Sequence, residues 1–137
     1  MLTEHQVQHD IITLLAGSEL CGAITGKVYR SGYRPRDSRD EDIVVVFVSG
    51  MPTQVEKGAV TLHIYVPDIT PYESGVYVED GRRVEHIEQL ADTWVMSLTA
   101  ARSHYKFNLL RTISTEHDEA INQHFVVVQL EYEYKGI

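Results

Sequence analysis

The chain has 137 residues, of which 43% are hydrophobic and 23% are charged, and these proportions are typical of one globular domain spanning residues 1–137. No apolar run approaches the ~20 residues of a membrane-spanning helix, and the first residues lack the basic start and apolar core of a signal peptide. We therefore expect no contact with a membrane. The single cysteine, Cys21, excludes an intramolecular disulfide and indicates a reducing cytosol.

The net charge of −8 is unevenly distributed along the chain. Residues 27–39 carry five basic side chains and one acidic side chain, a local charge of +4 that leaves −12 for the rest. Residues 67–80 and 112–134 contain several acidic residues and no lysine or arginine. Because an acidic body repels a polyanion except at a concentrated basic patch, general nucleic-acid binding is disfavoured.

The first predicted element is a short amphipathic helix over residues 3–16. Thr3 and Gln6 fit a capping box, and Gly17 supplies a stop. The apolar residues recur at helical spacing, namely Val7, Ile11, Leu14 and Leu15. After an irregular stretch at 20–25, we expect a short strand at 27–30 and an exposed loop at 31–41.

Four more strands and a second helix are predicted in the remainder of the chain. The unbroken apolar run 43–48 suits a central strand covered on both faces, and residues 59–66 alternate between apolar and polar. Asp80 can cap a long helix with an apolar stripe, and strands at 106–115 and 123–134 are joined around residues 116–122. The order α-β-β-β-α-β-β predicts an α+β fold with a single, mostly antiparallel sheet packed against two helices.

No group of residues forms a recognisable catalytic motif, so we predict that the chain is not an enzyme and uses no cofactor or metal. His5 and His9 have a spacing that can chelate a metal, but they lie opposite the apolar face of the first helix and are interpreted as solvated. Asp40, Glu41 and Asp42 are interpreted as partners of nearby arginines. The alternative for these acids is a metal-dependent hydrolase that uses Asp40, Asp42 and a histidine.

The basic residues of 27–39 allow three interpretations. Arginines and tyrosines could bind the phosphates and bases of a nucleic acid, or the segment could be a solvated loop without a partner. The third interpretation is a contact between subunits, because a basic loop and separate acidic surfaces on one chain suit a head-to-tail contact that closes a ring. The candidate partner-binding residues are Lys27, Arg30, Tyr33, Arg34, Arg36 and Arg39.

The order of elements and two sequence stretches resemble the small tail-completion or tail-terminator-like proteins of tailed phages and prophages. The order is a helix, "GKVYRSGYRPRDSRDEDIVVVF", "GAVTLHIYVPDI", a long helix and a closing "HFVVVQLEYEY" strand, and it covers nearly the whole chain. The resemblance depends most on "RPRDSRDEDIVV" and "LHIYVPDI".

The resemblance implies a structural role in virion assembly, in the bacterial host cytoplasm and then in the assembled virion. Proteins of this kind form homo-oligomeric rings, often hexameric, at the head-proximal end of the tail, where they stop tube polymerisation and join the head connector. By analogy, the loop holding Arg30, Arg34, Arg36 and Arg39 would contact a neighbouring subunit or the tail tube. The acidic remainder would let DNA pass through the ring without binding. The resemblance implies no active site, so it assigns no catalytic residues to this chain.

Overall fold

The computed structural model describes residues 2–100 and 103–135. The helices are α1 (Glu4–Leu15), α2 (Glu19–Ala23) and α3 (Gly81–Ala100), with a single 3₁₀ turn at Glu119–Ile121. The strands are β1 (Val28–Arg30), β2 (Ile43–Met51), β3 (Glu56–Pro67), β4 (Tyr105–Leu109), β5 (Ser114–Asp118) and β6 (Gln123–Tyr134).

All six strands form one sheet in the order β1-β2-β3-β6-β4, and β5 pairs with β6 along the same edge as β4. Only β1 and β2 are parallel. The longest pairing joins β3 and β6, from Glu56 opposite Tyr134 to Pro67 opposite Gln123. The predicted α+β class with a mostly antiparallel sheet is confirmed.

Two elements differ from the sequence prediction. The expected strand at 106–115 is two strands, because residues 110–113 lie opposite only two residues of β6 and bulge out of the pairing. The stretch at 20–25, expected to be irregular, contains α2. Ser18 caps this helix by accepting a hydrogen bond from the Cys21 backbone N–H at 3.0 Å. A helix of five residues is too short to produce a periodic apolar pattern.

The core lies between the helices and one face of the sheet. The apolar positions predicted in α1, β3 and α3 are buried there, except for Leu14, which is partly buried against the core, and this confirms the helical and alternating patterns. Thr3 caps α1 and Asp80 caps α3, each through a side-chain oxygen that accepts a backbone N–H at 3.3 Å. None of the helices in the described residues is long and apolar enough to cross a membrane.

Gly58 is required where β2, β3 and β6 approach closely. A Cβ at this position would lie 2.3 Å from the Ser49 carbonyl oxygen and 2.5 Å from the Tyr132 hydroxyl. We expect Gly58→Ala to lower the free energy of unfolding by about 2 kcal/mol, because the strands must separate to admit the methyl group. Urea unfolding followed by Trp94 fluorescence measures this change.

Gly22→Ala in α2 is the matched control, since nothing lies within 4 Å of a Cβ there. We expect this variant to be as stable as the wild type or slightly more stable, because alanine favours a helix. Equal stability of the two variants would contradict the close packing around Gly58.

Candidate subunit interface

The basic segment, residues 27–39, includes β1 and the loop that follows it. It packs on the outer face of the sheet, the face opposite the helices. The Arg34 guanidinium carbon lies 3.9 Å from the centre of the Tyr65 ring, which projects from β3 on that face. The segment is therefore held against the sheet and does not extend freely into solvent.

Arg34 is the centre of the contacts that hold the segment. Its Nε donates to Asp42 Oδ2 at 2.9 Å, and its Nη2 donates to Gln123 Oε1 at 2.8 Å. The same Nη2 also lies 3.3 Å from the Ser38 carbonyl oxygen and 3.2 Å from that of Asp40. The side chain is only 9% exposed. These contacts use the hydrogen-bond donors of the guanidinium within the chain, so Arg34 stabilises the conformation of the basic segment.

Asp42 receives hydrogen bonds on both carboxylate oxygens. Oδ1 accepts from the Lys27 backbone N–H at 2.9 Å, and Oδ2 accepts from the Ser38 hydroxyl at 2.6 Å as well as from Arg34. Gly26 lets the chain approach this carboxylate, because a Cβ there would lie 2.0 Å from Oδ1. Both carboxylate oxygens of Asp42 are therefore occupied by hydrogen-bond donors from within the chain.

Glu41 pairs with an arginine that is distant in sequence. Its carboxylate accepts two hydrogen bonds from Arg83 of α3, at 2.6 and 2.7 Å, in a bidentate arrangement. Arg83 also donates to the Ala23 carbonyl oxygen at 2.6 Å, and the hydrogen bond to Glu41 raises the pKa of Arg83. The expected pairing of these acids with nearby arginines therefore holds for Asp42, whereas Glu41 links the segment to α3.

Arg39 anchors the end of the segment. Its Nη1 donates to the Ile121 carbonyl oxygen at 3.0 Å and its Nη2 to that of Asp68 at 3.4 Å. The guanidinium carbon lies 5.5 Å from the centre of the Tyr77 ring. Of the six candidate partner-binding residues, Arg34 and Arg39 thus have contacts within the chain.

The other four candidates point their side chains away from such contacts. Within residues 2–100 and 103–135, no side-chain hydrogen bond or ion pair involves Lys27, Arg30, Tyr33 or Arg36, and Tyr33 is 69% exposed. Three cations and a tyrosine are therefore presented on a rigid support. Their contact with a partner protein stays a prediction.

The β5 part of the opposite edge is acidic, whereas the β4 part carries exposed Lys106 and is followed by exposed Arg111. By strand order, β1 forms one edge of the sheet, and β4 and β5 form the other. Glu116 of β5 and Glu119 just after it are exposed, and residues 112–134 contain no lysine or arginine. One sheet therefore has a basic edge at β1 and an acidic edge at β5.

Sequence reasoning did not identify the residues that support the basic segment. Tyr65 and Gln123 come from two separate elements and meet it only in the folded chain, and Arg83 of α3 pairs with Glu41 just beyond it. The one available signal was that Gln123 is a polar residue at the start of an alternating strand. No protein-family model matches the chain, and a search of curated proteins found no significant match.

The Arg34–Asp42 pair is buried, with side-chain exposures of 9% and 2%. We expect Arg34→Ala to lower the free energy of unfolding by about 3 kcal/mol, because Asp42 would be left as a buried charge without its partner. Arg36→Ala is the control. Its side chain is exposed, so the expected change is within about 0.5 kcal/mol. Urea unfolding of both variants tests the difference, and equal losses would contradict the role of Arg34.

His63 lies on the outer face, with its ring 4.9 Å from that of Phe125. Burial lowers its pKa below the ordinary 6.5, and the charge of Glu116 partly offsets this effect. Below about pH 6.5, His63 therefore binds a proton more readily in the unfolded chain than in the folded chain. The free energy of unfolding falls as the pH falls for this reason. We expect His63→Gln to lose less stability than the wild type between pH 8 and pH 5.

Urea unfolding at several pH values compares the wild type, His63→Gln and the control His5→Gln, whose side chain is exposed on α1. The control should follow the wild-type profile. Parallel profiles for all three proteins would show that burial of His63 does not contribute to the pH dependence.

Proposed function

We propose that this chain is a non-enzymatic structural protein of a phage or prophage tail. Copies of the chain form a ring at the head-proximal end of the tail, complete the tail tube and join it to the head connector. The protein acts in the bacterial host cytoplasm and then as part of the assembled virion. This proposal is motivated by the resemblance of "RPRDSRDEDIVV" and "LHIYVPDI" to tail-completion proteins.

The observation that best supports ring formation is the opposite charge of the segment at the β1 edge and of the β5 part of the far edge of the sheet. When the basic edge of one copy meets the acidic edge of the next, the contact is head-to-tail and can be repeated. An interface of this kind uses a different surface on each of the two subunits. When the ring closes, both surfaces of every copy are in contact with a neighbour. Lys27, Arg30 and Arg36 would face Glu116 and Glu119 of the neighbouring copy.

The rigid support of the basic segment strengthens the proposal. A mobile loop would lose conformational entropy on binding, at a cost of about 0.5–1.5 kcal/mol for each immobilised side chain. Arg34 and Arg39 already tie the loop to the sheet, so much of this cost is met during folding. The exposed residues Tyr33 and Arg36 are also of types enriched at protein interfaces.

The net charge also suits a ring around DNA. Outside residues 27–39 the chain carries a charge of −12, and an acidic lining would let DNA pass without binding. If the basic segment is covered by the neighbouring subunit, its cations are no longer available to DNA phosphates.

A nucleic-acid-binding module is the second candidate function. It is favoured by exposed Tyr33, which lies between Arg30 and Arg36 in a segment that could stack a base and contact phosphates. It is weakened by the engagement of Arg34 and Arg39 within the chain, which leaves three cations for phosphates. The observations on charge at the sheet edges therefore favour the subunit contact.

Mass in solution tests the proposal. We expect a discrete closed oligomer at low salt, measured by light scattering or native mass spectrometry, and partial dissociation at high salt because the contact joins opposite charges. The double variant Arg30→Glu with Arg36→Glu should dissociate to monomers at low salt. Arg82→Glu with Lys135→Glu is the control, since it changes the net charge equally at exposed positions outside the segment.

A charge-reversal experiment tests which surfaces meet. Adding Glu116→Lys and Glu119→Lys to the first double variant should restore the oligomer, because the basic and acidic edges are exchanged. Failure of this rescue would contradict the pairing of the two edges. A wild-type chain that stays monomeric but binds a labelled oligonucleotide at low salt, with affinity falling steeply as salt rises, would favour the second candidate function.

A further inference from the structure

Two histidines and an aspartate that are distant in sequence meet at one end of the sheet. His117 of β5 is directly opposite His124 of β6, and their rings stack with a centroid distance of 4.3 Å and an interplanar angle of 8°. Asp68, the residue after β3, lies beside both rings. Its Oδ1 is 2.6 Å from His124 Nδ1, and its Oδ2 is 3.6 Å from His117 Nε2.

The sheet holds these three residues in place. The β3–β6 pairing ends at Pro67 opposite Gln123, and the Asp68 backbone N–H donates to the Asn122 carbonyl oxygen at 3.1 Å. The Asp68 side chain is 2% exposed and that of His124 is 15% exposed, whereas that of His117 is 44% exposed. Two of the three side chains are thus fixed in the protein, and the third borders solvent.

The donor atoms are close enough to share one cation. One nitrogen from each histidine and one oxygen from Asp68 all lie within 4.8 Å of one another. Zinc bonds to nitrogen and oxygen are about 2.1 Å long, which places two ligands of a tetrahedral site about 3.4 Å apart. The three donor atoms are therefore near this spacing, and a turn of one ring is needed for their lone pairs to point at a single metal ion.

Two glutamates add negative charge around the cluster. Glu79 Oε2 is 3.4 Å from His124 Nε2, and Glu119 Oε1 is 4.0 Å from His117 Nδ1. Arg39 contacts the carbonyl oxygen of Asp68 at 3.4 Å, and among the described residues it forms no ion pair with the Asp68 carboxylate. The cluster thus combines two imidazoles with an excess of carboxylates.

We propose that Asp68, His117 and His124 form a binding site for a divalent transition metal of the Zn²⁺ class. Two imidazole nitrogens and a carboxylate oxygen suit such a metal, whereas Mg²⁺ and Ca²⁺ prefer sites made of oxygen atoms alone. Glu79 lies beside the ring nitrogen of His124 that faces away from Asp68, so it adds negative charge nearby and is not counted as a ligand. The site does not depend on the ring proposed above, because all its residues belong to one chain.

Binding changes the arrangement of the two rings. Because they are parallel, the lone pairs of their nitrogens do not converge, and one ring must turn about its χ2 bond. His117 is the ring that turns, since it is the more exposed. A metal bound to both residues would replace the contact between His124 Nδ1 and Asp68 Oδ1, which are 2.6 Å apart.

A bound metal would clamp the acidic edge of the sheet. It would join the end of β3 to β5 and β6. The ligands come from residues 68 to 124, so the metal cross-links elements that are far apart in the unfolded chain. Because the unfolded chain lacks a preformed site, binding stabilises the folded state.

Isothermal titration of Zn²⁺ into the chain, after removal of metals with a chelator, tests the proposal. We expect one Zn²⁺ per chain, a melting temperature that rises with Zn²⁺ concentration, and no such rise with Mg²⁺. His117→Gln should weaken Zn²⁺ binding at least tenfold. The control His5→Gln with His9→Gln removes the other histidine pair that could chelate a metal and should keep the wild-type affinity.

Each alternative result is decisive. Equal affinity in the wild type and His117→Gln, loss of binding in the His5, His9 control, or no stoichiometric binding would overturn the proposal. If His117→Gln does not fold, NMR of the wild-type chain replaces it. In that measurement Zn²⁺ should shift the imidazole nitrogen signals of His117 and His124, and shifts confined to other histidines would overturn the site.

Discussion

The pairing of β3 with β6 is the interaction on which the rest of the molecule depends. Each strand supplies alternate side chains to the core, so a slip of one residue would turn both apolar faces towards solvent. β2 extends the sheet from β3, and β4 and β5 extend it from β6. The same pairing brings Asp68, Gln123 and His124 together at one end of the sheet, where the basic segment and the histidine cluster meet it.

Buried charges determine the path of the basic segment. A buried carboxylate is costly unless it is paired and hydrogen-bonded, and Asp42 and Glu41 each receive an arginine and a backbone N–H. The two carboxylates are stabilised only when these arginines and backbone N–H groups are all close to them. This requirement favours a single conformation of the loop, although the loop's composition alone indicates mobility. A segment of polar residues thereby becomes a rigid surface that presents Lys27, Arg30 and Arg36.

The two proposals concern neighbouring surfaces. His117 belongs to β5, the strand that carries the acidic edge, and the carboxylates that make this edge negative also favour a cation beside them. A bound metal would order the edge and reduce its negative charge. If copies of the chain meet at this edge as proposed, the strength of that contact would depend on both the basic segment and the metal occupancy of the histidine cluster.

Local patterns in the sequence determined the elements that depend on local physics. The apolar stripe of α3, the alternation in β3 and β6, and the caps Thr3 and Asp80 all follow from residue spacing and short-range hydrogen bonds. The split of the expected strand at 106–115 depended on pairing with β6, and the partners of Arg34 and His117 come from elements far away along the chain. Only the tertiary structure decided which charges are buried and which stay exposed, because burial is set by packing between distant residues.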